Sequence, residues 1–233
     1  LSVTFIPIFS HYLVRDNEEE GWRVFSLILT GFGSLLLLLI TFACVFARNF
    51  VEILAPGLED PVLIQHAIRM TRIIIPAQFF FFAGGMFMAV QFAKEKFFIP
   101  ALSPLLYNLG IICGGLLLGS RLGMEGFSWG VLGGAFIGNF MVQIWGAKKV
   151  GMRFTINFDF KHPDLWLYFR VTLPLMIGLT MSFSTEFLFR FFGSYLPRGS
   201  IASLNYGLRT MFILVGFFGQ AVYHMDWLLT EKD

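Results

Sequence analysis

The sequence predicts an all-α fold, a polytopic transmembrane helix bundle of about seven spans. Hydrophobic residues make up 56% of the 233 and charged residues only 14%, with a mean hydropathy of +0.72. A soluble domain of this length carries about a quarter charged residues. The charges also gather in short clusters and leave long uncharged runs, as a bilayer core demands of a spanning helix. Finally, the 30 phenylalanines have no polar atom to satisfy, so each can face lipid or a neighbouring helix.

Residues 1–13 read as the end of a helix leaving the membrane at His11, and 15–21 (RDNEEEG) as a solvated turn. The first full span is 24–47, uncharged, with the block 35–39 (LLLLL) at its centre and Arg48 closing it. It is long enough to cross a hydrocarbon core of about 30 Å. Residues 48–72 leave the membrane and return. Within them Ala55, Pro56 and Gly57 make a turn, and Asp60 before Pro61 is a helix start, an N-cap with proline at the first helical position. The helix that follows carries Arg69 and Arg72 and runs into the second span, 73–93.

Lys94, Glu95 and Lys96 form a tight turn before the third span, 97–120. A short loop at 121–125 precedes the fourth, 126–147, and a longer basic connection runs from 148 to 170. Inside it, 154–160 (FTINFDF) alternates apolar and polar residues, a weak strand signal at this length. The fifth span, 171–196, contains Glu186 and Arg190; the sixth, 200–222, contains Arg209. The closing residues 224–233 are polar and complete no further span, and the start at Leu1 without an initiator Met or signal-peptide pattern reads as truncation.

Assigning loops alternately places Arg15, Arg23, Lys94, Lys96, Lys148, Lys149, Arg153, Lys161 and Arg170 on one side. Arg48, Arg69, Arg72, Arg121 and Arg198 fall on the other. Nine against five predicts that the first side, with Glu18, Glu95 and Asp159, is cytoplasmic, and that Glu59 and Pro197 are periplasmic.

The formal charge of +2 and the lack of a basic patch with interleaved aromatics point away from nucleic acid as a partner. Cys44 and Cys113 lie in apolar runs, where small apolar fillers are expected rather than a disulfide. The four histidines are scattered without metal-ligand spacing, and neither paired carboxylates at membrane depth nor a phosphate-cradling glycine loop is present. No metal, no cofactor and no catalytic residue is expected. A membrane enzyme is the different-class alternative and would need a catalytic cluster outside this sequence.

Gly130, Gly134 and Gly138 recur every fourth residue and form a ridge that lets another helix approach closely. Pro76, Pro104 and Pro174 lie within or near span starts, where each removes a backbone donor and bends its helix. Asn108, Asn139, Gln143 and Gln220 suit interhelical hydrogen bonds, with lining of a substrate path as the alternative. Glu186, Arg190 and Arg209 are the informative charges, because an ionised group at bilayer depth costs about 2.5–3.5 kcal/mol even on the insertion scale. Glu186 and Arg190, four apart, share a helix face and can pair. Arg209 has no carboxylate three or four residues away, so its compensation must come from another helix, water or an anionic ligand.

These segments resemble the MviN/MurJ family of lipid II flippases. The likeness is carried by 97–111 (FFIPALSPLLYNLGI) and 196–209 (LPRGSIASLNYGLR), with 55–57 (APG) and 5–10 (FIPIFS) in support, and runs with constant spacing to about residue 222. The resemblance implies the multidrug/oligosaccharidyl-lipid/polysaccharide exporter fold of about fourteen helices, of which this chain would supply the second to the eighth. It implies residence in the bacterial cytoplasmic membrane among membrane lipids. It also implies movement of lipid II, the undecaprenyl-diphosphate-linked disaccharide-pentapeptide, between leaflets by alternating access for cell-wall synthesis. Arg209 falls on the family's cavity arginine in the eighth helix and is expected to contact the diphosphate, with Glu186, Arg190 and Asn108 as further candidates for substrate contact. Leu208 stands where the family often has Asp or Asn, and 223–233 (YHMDWLLTEKD) departs from the family pattern. Another exporter of the same superfamily, moving polysaccharide-lipid or drugs, is the alternative.

Overall fold

The computed structural model describes the backbone of residues 2–159, 161–197 and 199–230, and within these the side chains other than those at 2, 3, 179, 182, 183, 185 and 217–230. Gln220 therefore lies outside the described side chains, and Phe160 and Arg198 outside the described residues. The helices, in chain order, are α1 (Ser2–Val14), α2 (Glu18–Val45), α3 (Ala47–Leu54), α4 (Pro61–Ile74), α5 (Ala77–Ala93) and α6 (Phe98–Leu122). They continue with α7 (Glu125–Gly134), a π-helical segment (Ala135–Met141), α8 (Val142–Lys149), α9 (Pro163–Gly193) and α10 (Ser200–Thr230). No strand occurs among the described residues, and 154–159 is irregular.

Several helices outrun the apolar stretches expected of their spans. α2 starts at Glu18, not near 24, because Glu18, Glu19 and Glu20 occupy its first turn, where carboxylates complement the positive helix end. Its 28 residues reach about 42 Å at 1.5 Å per residue. The second span is two helices: Pro76 has no N–H to continue α4, so α5 restarts at Ala77. Asp60 caps α4 as expected, its carboxylate accepting from the Val62 N–H at 2.9 Å. α9 starts at Pro163 rather than near 171, with the His162 ring accepting from the Asp164 N–H at 3.2 Å. α10 continues as helix to Thr230, past the expected end near 222. Four stretches, Glu18–Val45, Pro61–Ala93, Phe98–Leu122 and Glu125–Lys149, are long and apolar enough to cross a membrane. α9 and α10, of 31 residues each, match them in length.

The connections sort to two ends of the bundle. At one end Lys94 donates to Glu18 and, at 2.8 Å, to the Val150 carbonyl. Arg23 meets Asp159 at 3.3 Å, His162 meets Glu20 at 3.0 Å, and the Tyr12 hydroxyl donates to Asp164. At the other end the Gly57 N–H donates to Ser194 Oγ at 3.0 Å, and Glu125 faces His66 at 3.1 Å and Arg69 at 3.6 Å. This is the alternation that successive crossings require.

The apolar core lies towards the first end. Phe5 and Phe9 of α1, Trp22 and Phe25 of α2, Met86 and Phe87 of α5 and Tyr168 of α9 are all buried there. The Phe9 and Trp22 rings lie 4.7 Å apart. Further along α2 the leucines turn outward, Leu38 with 69% of its surface exposed, which suits a face turned to lipid.

Candidate functional site

α9 and α10 form a helical hairpin. α9 ends at Gly193, the chain turns through Pro197 and Gly199, and α10 begins at Ser200. Gly199 has φ +93°, a left-handed conformation that a residue without Cβ adopts freely. The hairpin sets Glu186 and Arg190 of one helix opposite Arg209 of the other.

These three side chains line one cavity of about 360 Å³, with Phe189, Ile201, Leu204, Asn205, Leu208 and Phe212 supplying the rest of its wall. Glu186 and Arg190 pair within α9 at 3.3 Å, and both side chains stay about 60% exposed (61% and 59%). Arg209 forms no ion pair among the described residues, so Glu186 does not bridge to it. Two guanidinium groups against one carboxylate leave the wall with a net positive charge. Arg209 lies nine residues beyond Ser200, about 14 Å along the helix axis and so near half of a 30 Å hydrocarbon core. A planar guanidinium with no ion-pair partner among the described residues, on a wall shared with Arg190 and Asn205, is suited to bidentate contact with phosphate oxygens.

Asn205 was missed in the sequence. It sits one helical turn before Arg209 on the same wall, and its amide donates to the Ile201 carbonyl at 3.0 Å. The four-residue spacing from Arg209 was the available signal. Asn108 is exposed on α6 and does not line this cavity, so the structure separates it from the three charges. Leu208 shares the wall with Arg209, as an apolar neighbour that offers it no hydrogen-bond partner.

The glycine ridge holds α7 and the π segment against α6. A Cβ on Gly130 would stand 2.6 Å from the Gly110 carbonyl oxygen, one on Gly134 2.7 Å from that of Tyr107, and one on Gly138 2.9 Å from Leu106 Cβ. Gly110 and Gly114 are the answering pair on α6, four apart and legible in the sequence as such. Pro104 lies inside α6 and Pro174 inside α9. Beside the seam, Ser103 Oγ and Asn139 Oδ1 bond at 2.6 Å, and Gln143 donates to the Ile99 carbonyl at 3.1 Å. Both contacts are interhelical. Gln91, fully buried on α5, donates to Gln143 Oε1 at 3.1 Å and completes the cluster. No group of three or more His, Cys, Asp or Glu placed to hold a metal occurs among the described residues.

A family model described as lipid II flippase MurJ matches residues 1–225. The probable lipid II flippase MurJ of Thermotoga maritima is 27% identical over 222 residues, covering 95% of this chain and 44% of that protein. That of Aquifex aeolicus is 24% identical, covering 100% and 46%. The lipid II flippase MurJ of Burkholderia cenocepacia is 23% identical, covering 95% and 44%. A solved structure of a lipid II flippase MurJ in an inward closed conformation superposes with a TM-score of 0.75 at 22% identity, over 93% of this chain and 44% of that one, and shows the shared fold. The chain spans somewhat less than half the length of these relatives. With its membrane-length helices and a match over nearly every residue, the chain belongs to the MurJ family of lipid II flippases, multi-pass proteins of the bacterial cytoplasmic membrane.

Proposed function

We propose that this chain forms part of a transporter that moves lipid II, the diphosphate-linked peptidoglycan precursor, across the cytoplasmic membrane by alternating access. The observation that carries the reading is the α9–α10 cavity, where Arg190 and Arg209 face a common space with only one carboxylate on its wall. A lipid diphosphate presents several anionic oxygens that must leave water to cross. Arginine forks replace those water contacts at a depth where few other groups can, and Arg209 has no carboxylate bound to it among the described residues. The undecaprenyl tail stays in lipid, against the apolar outer faces of the helices. The reaction requires no bond to be made or broken, so the site needs charge and space rather than a nucleophile or general base. Glu186 holds Arg190 in position within α9 and limits the net charge of the wall. The bundle end that gathers Glu18, Lys94 and Asp159 faces the cytoplasm on the lysine and arginine balance.

The reading is tested in a full-length family member whose corresponding segment is replaced by this chain. Expressed in bacteria depleted of their own flippases, the chimera is expected to sustain growth. Lysis of those cells, with the chimera present in the membrane at normal level, would contradict it.

A further inference from the structure

We propose a second anion site, remote from the α9–α10 cavity: the junction of α2, α3 and α4 binds the phosphate of an anionic phospholipid headgroup. Arg48 of α3 and Arg69 and Arg72 of α4 line one cavity of about 440 Å³, with Ile64, Gln65 and Ile68, and no carboxylate is on its wall. Arg69 and Arg72 are three apart and so lie on one face of α4. The Arg72 Nε donates to the Cys44 carbonyl at 3.1 Å, which fixes the guanidinium, while its terminal nitrogens have no partner among the described residues. Arg48 gives one N–H to Glu52 at 2.8 Å, and Arg69 stands 3.6 Å from Glu125. Each keeps further donors free to meet phosphate oxygens in the forked geometry that arginine favours.

The depth of the site selects a lipid over a free anion. Arg48 lies three residues past Val45, where the membrane-length apolar helix α2 ends and the chain turns into α3. That is the level of headgroups. Phe42 and Val45 just below are 53% and 64% exposed, a surface suited to acyl chains. Ile64 and Ile68 give the cavity an apolar wall beneath the guanidinium groups, which suits glycerol and methylene groups and offers nothing to a hydrated inorganic ion. Three guanidinium groups against the two carboxylates paired at the rim, Glu52 and Glu125, leave a net positive site, which favours a headgroup whose phosphate carries no ammonium of its own. The inference does not depend on the transport proposed above.

Native mass spectrometry of the purified full chain, released from detergent with phosphatidylglycerol, phosphatidylcholine or inorganic phosphate as probe, tests it. Phosphatidylglycerol should be retained in preference to phosphatidylcholine. The combined change Arg48→Gln, Arg69→Gln and Arg72→Gln should weaken that retention by about a hundredfold, near fivefold for each arginine. Arg69→Gln alone, which breaks no bond to the backbone, should cost about fivefold and carries the test if the triple variant does not fold. Equal retention of the two lipids, undiminished phosphatidylglycerol binding in Arg69→Gln, or capture of inorganic phosphate without the lipid would each overturn the assignment.

Discussion

Glu186 and Arg190 meet at 3.3 Å across one turn of α9 and face the same cavity as Arg209. In water an exposed pair at this spacing contributes only about 0.3–0.5 kcal/mol. At bilayer depth the balance changes, because removal of one partner leaves a charge that costs about 2.5–3.5 kcal/mol. In a full-length family member carrying this segment, Glu186→Gln or Arg190→Gln alone should therefore reduce membrane accumulation more than the two together. Quantitative immunoblotting of the three variants checks this, and a double variant no better tolerated than either single one would refute the coupling. The charges were legible in the sequence because an ionised residue within an apolar run is rare and needs a partner. Asn108 lies exposed on α6 and off the α9–α10 cavity; a lone amide in a span marks no particular helix face. Gln91 escaped notice in the apolar run of α5, although its buried amide bonds to Gln143.

Among the elements, the α6–α7 seam shows how small residues set helix separation. The Gly130 Cα lies where a Cβ on Gly114 would come within 2.4 Å, so the two backbones are nearly in contact. A side chain at position 130 would push them apart. Gly130→Val should destabilise the bundle by roughly 1–3 kcal/mol, the usual cost of overpacking, and lower its thermal midpoint in detergent. Gly133→Val, at a position where a Cβ would meet nothing within 4 Å, should leave that midpoint nearly unchanged. Equal effects at the two positions would remove the seam from the account. The sequence announced this ridge through its four-residue spacing, and the Asp60-Pro61 start of α4 through its capping chemistry. It did not announce the π segment over Ala135–Met141 or the helical reach of α2 and α9 beyond their apolar runs. Hydropathy reports where lipid surrounds a helix, and helical hydrogen bonding continues past that boundary into water.

For the whole molecule, alternation of the connections between two ends is the organising feature. The ion pairs Glu18–Lys94 and Arg23–Asp159 tie three connections at one end, and Gly57 with Ser194 ties two at the other. Nine lysines and arginines against five predict that the end with Glu18 and Lys94 faces the cytoplasm. With Cys44 and Cys113 replaced, a single cysteine at position 95 should resist a membrane-impermeant thiol reagent in intact cells, and one at position 59 should react. The reverse pattern would invert the orientation. The four stretches long and apolar enough to cross a membrane were readable from hydropathy, whereas the meeting of α9 and α10 around a cavity depends on helix rotation that no local pattern specifies. Arg209 is the cavity's unpaired cation among the described residues. The most direct test is lipid II translocation by Arg209→Ala in a full-length family member carrying this segment, with Arg209→Lys beside it. Membrane insertion should be normal in both, with translocation abolished by alanine and impaired by lysine, which keeps the charge but loses the fork. Translocation by the alanine variant at the unaltered rate would contradict this.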